Sequence, residues 1–192
     1  MKRRFIDLLS QTYSWPQPGL DVSKHGTLKF HGVDLFDLGR THGTPLRFHH
    51  IPSISRAVSR ANKWFQNAIE SHHYQGGYIP AFATKSSPFR FSVEETIKAG
   101  CHLETSSAVD LDIVQHLLSA GMITHQTYIL CNGCKSDRYL NGVLELHSMG
   151  MQNLICILDN EDEVHRLLSA EPKALKVGFR VATEEDPSFE FY

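Results

Sequence analysis

The chain has 192 residues, of which 41% are hydrophobic and 21% charged, a composition typical of a globular protein of one or two domains. Its formal net charge of -2 gives no electrostatic reason to expect nucleic acid or a membrane surface as a partner. No apolar run approaches the roughly 20 residues of a membrane span, and Asp7 interrupts the start of the chain before a secretion signal could develop. We therefore expect a cytoplasmic protein with reduced cysteines.

About the first quarter of the chain, residues 1–52, is predicted to be an irregular lead-in, because prolines and glycines interrupt it. Two short extended pieces are predicted within it, at residues 27–30 and 33–36. Apolar residues at helical spacing then predict an amphipathic helix that begins at Ser53 or Ser55 and ends at Ser71. This helix opens the second predicted domain, residues 53–192.

From Gly77 onward the sequence alternates between strand and helix patterns. Strands are predicted at residues 78–84, 102–106, 127–132, 154–158 and 175–182. Helices are predicted at residues 93–99, 108–120, 137–149 and 161–170. This alternation predicts an α/β fold of parallel βαβ units, and right-handed crossovers leave a doubly wound sheet or a (β/α)₈ barrel. The third and fourth strands are continuous apolar runs, as expected for a sheet covered on both faces.

Each predicted strand ends at a charged or amide residue. Because both candidate architectures place their chemistry at the carboxyl ends of strands, these residues predict a common polar site. They are Lys85, Glu104, Asn132, Asp159 and Arg180. Lys85 closes an apolar strand and is followed by small polar residues, the surroundings that a Schiff-base lysine needs.

Four segments in this order resemble a known family. They are Phe-Ala-Thr-Lys at 82–85, Leu-Glu-Thr-Ser-Ser at 103–107, Leu-Cys-Asn-Gly-Cys-Lys at 130–135 and Val-Gly-Phe-Arg-Val-Ala-Thr at 177–183. Together with Gly-Thr-Pro-Leu-Arg at 43–47, they resemble the alanine-racemase-like (fold type III) pyridoxal-phosphate decarboxylases, most closely the bacterial arginine decarboxylases. The resemblance implies that the parallel repeats are about the first five strands of a TIM-type (β/α)₈ barrel.

The resemblance also implies roles for individual residues. Lys85 matches the lysine that forms the Schiff base with pyridoxal phosphate, and Glu104 matches an acidic residue beside that base. Arg180 matches an arginine that approaches the cofactor ring. Asn132 is a candidate cofactor contact, although it and its neighbours Gly133 and Lys135 could instead only shape a loop. The implied reaction is decarboxylation of a basic amino acid, arginine to agmatine in polyamine biosynthesis, by a homodimer.

Two departures from the family pattern leave alternatives open. The residues that flank Lys85 differ from those usual in arginine decarboxylases, so ornithine, lysine or diaminopimelate remain alternative substrates. A complete barrel needs about 250 residues. We therefore expect the chain to be the N-terminal portion of a decarboxylase and to be inactive alone. The alternative is a non-catalytic fragment that binds pyridoxal phosphate or has a regulatory role.

A metal site is not expected. Cys131 and Cys134 form a single CxxC motif without a second pair. The adjacent histidines at 49–50 and 72–73 would point in different directions on a strand or a helix, so neither pair forms a natural chelate.

Overall fold

The computed structural model describes residues 19–181. These residues belong to two compact units that divide between His49 and His50. None of the helices in this part of the chain is long and apolar enough to cross a membrane.

The first unit is more ordered than the irregular lead-in that the sequence predicts. Three antiparallel strands pair in the order β1-β2-β3 and are followed by one helix. Their bounds are β1 Leu20–Val22, β2 Leu28–Phe30, β3 Val33–Asp34 and α1 Leu35–His42. The extended piece predicted at 33–36 is therefore cut short by α1. The reason is Asp34, whose side chain accepts hydrogen bonds from the backbone N of Phe36 and Asp37 and so caps a helix.

The second unit begins with helix α2 and continues as alternating strands and helices. The elements are α2 Pro52–Ser71, β4 Ala81–Ala83, α3 Arg90–Lys98, β5 His102–Thr105, α4 Ala108–Ser119, β6 Ile129–Cys131, α5 Asp137–Ser148, β7 Leu154–Leu158, α6 Glu161–Ser169 and β8 Lys176–Phe179. Each strand and helix predicted after Gly77 is present, and most strands are shorter than predicted. A 3₁₀ turn, Thr84–Ser86, follows β4 directly.

The five strands form one parallel sheet in the sequential order β4-β5-β6-β7-β8. Because the order never reverses, right-handed crossovers place the connecting helices on the same face. A doubly wound sheet would need a reversal. The order therefore selects the barrel-type arrangement of the two architectures, and the α/β fold prediction is confirmed.

Burial alternates along the strands and identifies the two faces of the sheet. On β7, Leu154, Cys156 and Leu158 are buried, whereas Ile155 and Ile157 are half-buried. The buried face packs with the helices into one core, whose members include Leu103, Val114, Ile129, Val143 and Leu146. Within residues 19–181, the opposite face is not covered to the same extent, so the prediction of a sheet buried on both faces is wrong for this part of the chain. We call this second surface, to which Ile155 and Ile157 belong, the open face.

Three helices begin with the same kind of N-cap at the carboxyl end of a strand. The side chains of Ser107, Ser136 and Asn160 each accept a hydrogen bond from a backbone N in the first turn of α4, α5 and α6. Such caps satisfy backbone donors that would otherwise be unpaired. They fix where each strand ends and each helix begins, and thereby hold the connecting residues in place.

Candidate functional site

A hydrogen bond joins two of the predicted site residues at the carboxyl ends of β5 and β6. Nδ2 of Asn132 donates to Oε1 of Glu104 at 2.9 Å. The sheet register explains the contact: Glu104 pairs with Leu130, and Asn132 lies two residues further along the same strand direction. Because side chains alternate between faces, Glu104, Leu130 and Asn132 all belong to the open face. Both polar side chains are half-buried.

The backbone at Gly133 fixes the other end of the Asn132 amide. The N–H of Gly133 donates to Oδ1 of Asn132 at 2.9 Å, so Nδ2 is left to face Glu104. Gly133 has a φ of 77°, and a Cβ atom there would lie 3.3 Å from the carbonyl oxygen of Ser106. Glycine is required for this turn by both its positive φ and the close backbone approach.

Lys85 follows β4, the strand that pairs with the Glu104 strand β5, but it does not close a buried strand as predicted. It is exposed, in the 3₁₀ turn that follows the edge strand β4. Its neighbour Thr84 is fully buried, and Oγ1 of Thr84 donates to the carbonyl oxygen of Glu104 at 3.0 Å. The backbone next to Lys85 is therefore anchored to β5, while the lysine side chain itself extends into solvent.

Arg180 belongs to a separate pair at the far side of the sheet. Its Nη1 atom lies 3.5 Å from Oδ1 of Asp159, and the Arg180 side chain is 63% exposed. Arg180 follows Gly178 by two residues, and Gly178 pairs with Ile157 on the open face. The alternation of side chains along the chain therefore places Arg180 on the same face as Glu104 and Asn132, although its ion pair is made with Asp159.

The structure resolves the two interpretations of Lys135 in favour of loop shaping. Only 1% of Lys135 is exposed, and its Nζ atom donates to the carbonyl oxygens of Gly133, at 2.7 Å, and Ile157. Nζ also lies 3.5 Å from Oε2 of Glu163, which is fully buried. The ammonium group is thus enclosed by oxygens beneath the strand ends and does not face the open side of the sheet.

Glu163 was not recognised from the sequence. Burial opposes its ionisation, but backbone N–H groups of Asp159 and Lys135 and the Lys135 ammonium outweigh that effect and hold the pKa of Glu163 below its usual value. The signal that could have identified it is its position three residues after the N-cap Asn160, where glutamate commonly bonds back to the start of a helix.

The CxxC motif does not form a reactive pair. Cys131 is fully buried, and burial raises the pKa of its thiol to about 12, whereas Cys134 is exposed. All four cysteines are free thiols. In the part of the chain that the structure describes, no group of three or more histidine, cysteine or acidic side chains is arranged to hold a metal ion.

The chain belongs to the family of the pyridoxal-dependent decarboxylase, pyridoxal binding domain, whose model matches residues 53–191. Pyridoxal is therefore the family's cofactor, as the sequence predicted. The matched segment includes every strand of the parallel sheet and the predicted site residues Lys85, Glu104, Asn132, Asp159 and Arg180.

Several proteins of similar sequence are named arginine decarboxylases. The chain is 27% identical over 139 residues to a biosynthetic arginine decarboxylase of Prochlorococcus marinus, covering 70% of this chain and 21% of the relative. It is 25% identical over 177 residues to the biosynthetic arginine decarboxylase of Thermosynechococcus vestitus, covering 84% of this chain and 27% of the relative. It is 27% identical over 173 residues to the chloroplastic arginine decarboxylase 1A of Nicotiana tabacum, covering 80% of this chain and 23% of the relative.

A solved structure supports the fold. The crystal structure of the biosynthetic arginine decarboxylase of Campylobacter jejuni matches with a TM-score of 0.62 at 20% identity, over 86% of this chain and 29% of that one. The chain thus spans between about a fifth and three tenths of the length of these relatives. The fold prediction of a partial decarboxylase barrel is confirmed.

Proposed function

We propose that these residues form part of the active site of a pyridoxal-phosphate-dependent decarboxylase that converts arginine to agmatine. The observation that carries the proposal is the Glu104–Asn132 hydrogen bond at the strand ends of a domain of this family, where Glu104 lies on the strand that pairs with the one preceding Lys85. The names of the relatives support arginine as the substrate. The reaction would supply a precursor for polyamine synthesis.

The side chains at this site fit the proposed cofactor. Lys85 offers an exposed amine for covalent attachment, and Thr84 anchors the backbone next to it. Glu104 is a half-buried carboxylate whose Oε1 is oriented by Asn132. Arg180 adds a positive charge on the same face. An amine, an oriented carboxylate and a guanidinium are the groups that pyridoxal enzymes use to bind and tune the cofactor.

Each side chain would have a distinct task. Pyridoxal phosphate, when bound, supplies the electron sink for the bond that breaks between the substrate's α-carbon and its carboxylate. Lys85 would hold the cofactor and release it to the amino group of the substrate. Glu104 would stabilise a proton on the nitrogen through which Lys85 holds the cofactor, because a nearby negative charge favours a cation. Asn132 would keep the carboxylate of Glu104 pointed in one direction, and Arg180 would contact the ring.

The substrate proposal is tested with the protein encoded by the complete reading frame that contains these residues. Release of labelled CO₂ is measured from carboxyl-labelled arginine, ornithine, lysine and diaminopimelate, with Lys85→Ala as the control. We expect arginine to give the highest kcat/KM and the control to be inactive. A preference for another amino acid would overturn the choice of substrate. The 192-residue chain alone is expected to release no CO₂.

We further propose that the protein is cytoplasmic and acts as a homodimer. Free, mostly buried thiols suit a reducing compartment. The homodimer is carried over from the arginine decarboxylases that the sequence resembles. Light scattering of the complete protein tests this, and a monomeric mass would contradict it.

A further inference from the structure

Lys135 and Glu163 form an ion pair whose side chains are both fully enclosed. A buried pair is expensive to desolvate, and its retention calls for a structural or functional reason. In the described residues its atoms do not reach the open face, so the pair cannot itself touch cofactor or substrate there. Its effect must be transmitted through the groups that it contacts.

Glu163 connects two strand ends. Its Oε1 accepts a hydrogen bond from the backbone N of Lys135 at 2.6 Å, and its Oε2 accepts one from the backbone N of Asp159 at 3.0 Å. The first residue follows β6 and the second follows β7. A single carboxylate on α6 therefore fixes the loops that carry Asn132 and Asp159.

Lys135 continues this series of contacts toward the proposed site. Its Nζ atom donates to the carbonyl oxygen of Gly133 at 2.7 Å, and the N–H of Gly133 donates to Oδ1 of Asn132 at 2.9 Å. Nδ2 of Asn132 then donates to Glu104. These contacts connect the buried ammonium to the Asn132 amide through the backbone of Gly133.

We propose that Lys135 and Glu163 are positioning residues that hold the Asn132–Gly133 turn and thereby orient the Glu104 carboxylate. For its consequence at Lys85, this inference rests on the proposed function. Loss of the Lys135 charge releases the Gly133 carbonyl, the turn then samples other conformations, and the Asn132 amide no longer points steadily at Glu104. Binding of pyridoxal phosphate weakens although neither changed residue touches it.

The experiment compares Lys135→Met with Arg138→Met in the 192-residue chain. Arg138 lies in the first turn of α5, the helix that directly follows Lys135, but its ion pair with Asp112 is exposed, which makes it a matched control. The first measurement is the NMR signal of the Asn132 side-chain amide, assigned by its absence in Asn132→Ala. The second is the pyridoxal phosphate concentration that half-saturates borohydride-trapped labelling of Lys85, measured where each variant is folded.

In Lys135→Met, the two Asn132 amide proton signals are expected to move to the positions of a freely rotating asparagine. The half-saturating concentration of pyridoxal phosphate is expected to rise about tenfold, because loss of a supporting residue makes the binding site less rigid. Arg138→Met changes neither measurement. Unchanged amide signals in folded Lys135→Met, or moved signals with unchanged labelling, would overturn the proposal.

Two further measurements test the positioning role if Lys135→Met does not fold. If Lys135→Met does not fold, Glu163→Gln is used, which preserves the shape of Glu163 and removes its charge. If neither folds, acid titration of Glu104→Gln, in which the carboxylate bonded to Asn132 no longer titrates, must move the Asn132 amide signals at the pH where the Glu163 carboxyl carbon titrates, and separate midpoints overturn the inference. Absence of any Lys85 labelling in the unaltered chain would refute the proposed function, while the amide signals would still decide the positioning role.

Discussion

The side-chain amide of Asn132 is held between two opposite partners: Nδ2 donates to the carboxylate of Glu104 at 2.9 Å, and Oδ1 accepts from the N–H of Gly133 at 2.9 Å. The donor and acceptor ends of the amide are thus both used, and a rotation of the group would break both bonds. This arrangement gives a carboxylate at the end of β5 a fixed direction. A fixed carboxylate near a lysine is what the proposed cofactor site requires.

Replacement of Asn132 by alanine should weaken cofactor binding at Lys85 without unfolding the chain. A hydrogen bond to a charged group contributes about 1.5–3 kcal/mol, so the half-saturating pyridoxal phosphate concentration should rise about tenfold or more. The matched control is Asn153→Ala, because Asn153 precedes β7 at the opposite end of the sheet and bonds to the carbonyl of Gln126. Equal affinities of Asn132→Ala and the unaltered chain would contradict the role given to Asn132.

Replacement of Gly133 by alanine should destabilise the chain more than the same change at Gly121. Both glycines have positive φ, 77° and 67°, so both alanine variants lose about 1–2 kcal/mol from backbone strain. Only at Gly133 would the new Cβ approach a backbone carbonyl, that of Ser106, at 3.3 Å. Urea unfolding of the two variants measures the difference, and equal losses would show that the approach to Ser106 is unimportant.

Much of the fold could be predicted from the sequence because the strands and the ends of three helices carry local signals. The repeats after Gly77 show apolar runs for the strands and glycines where helices stop, and Gly100, Gly121 and Gly150 all adopt positive φ. The β3–α1 junction was harder to predict, because Val33 and Phe36 fit an extended pattern. The cap made by Asp34 ends that pattern after two residues.

The contacts of the candidate site residues could not be predicted from the sequence. Glu104 and Asn132 follow from the rule that strand ends carry the chemistry, yet their hydrogen bond depends on the register of β5 and β6, which the sequence does not encode locally. The burial of Lys135 could not be predicted either, because its partner Glu163 lies 28 positions away. The exposure of Lys85 follows from β4 being only three residues long and at the edge of the sheet.

The stability of the chain should decrease in acid partly through Glu163. Its pKa is lower in the folded chain than its usual value of 4.5, because the N–H groups and the Lys135 ammonium outweigh the effect of burial. The folded state therefore gains stability above about pH 4.5, and the gain is lost as the pH falls below that value. Unfolding free energies measured from pH 7 downward should fall less steeply in Glu163→Gln, and identical pH profiles would contradict this account.

The cysteines should differ strongly in reactivity. Burial raises the pKa of Cys131 to about 12 and also raises the pKa of Cys156, so neither is a thiolate at pH 8 in the folded chain. Cys134 is exposed and should react first with a thiol reagent such as Ellman's reagent. Peptide mapping after brief alkylation, with a Cys134→Ser control, checks this. Rapid modification of Cys131 without denaturant would contradict its burial.

Binding of pyridoxal phosphate by Lys85 can be measured directly. Purified chain is incubated with the cofactor, reduced with borohydride and mapped by mass spectrometry, beside Lys85→Ala and, as a control for an exposed lysine at another strand, Lys176→Ala. We expect a pyridoxyl group on Lys85 that saturates at low cofactor concentration and disappears only in Lys85→Ala. Labelling spread evenly over surface lysines, with Lys85 no more reactive than Lys176, would contradict it.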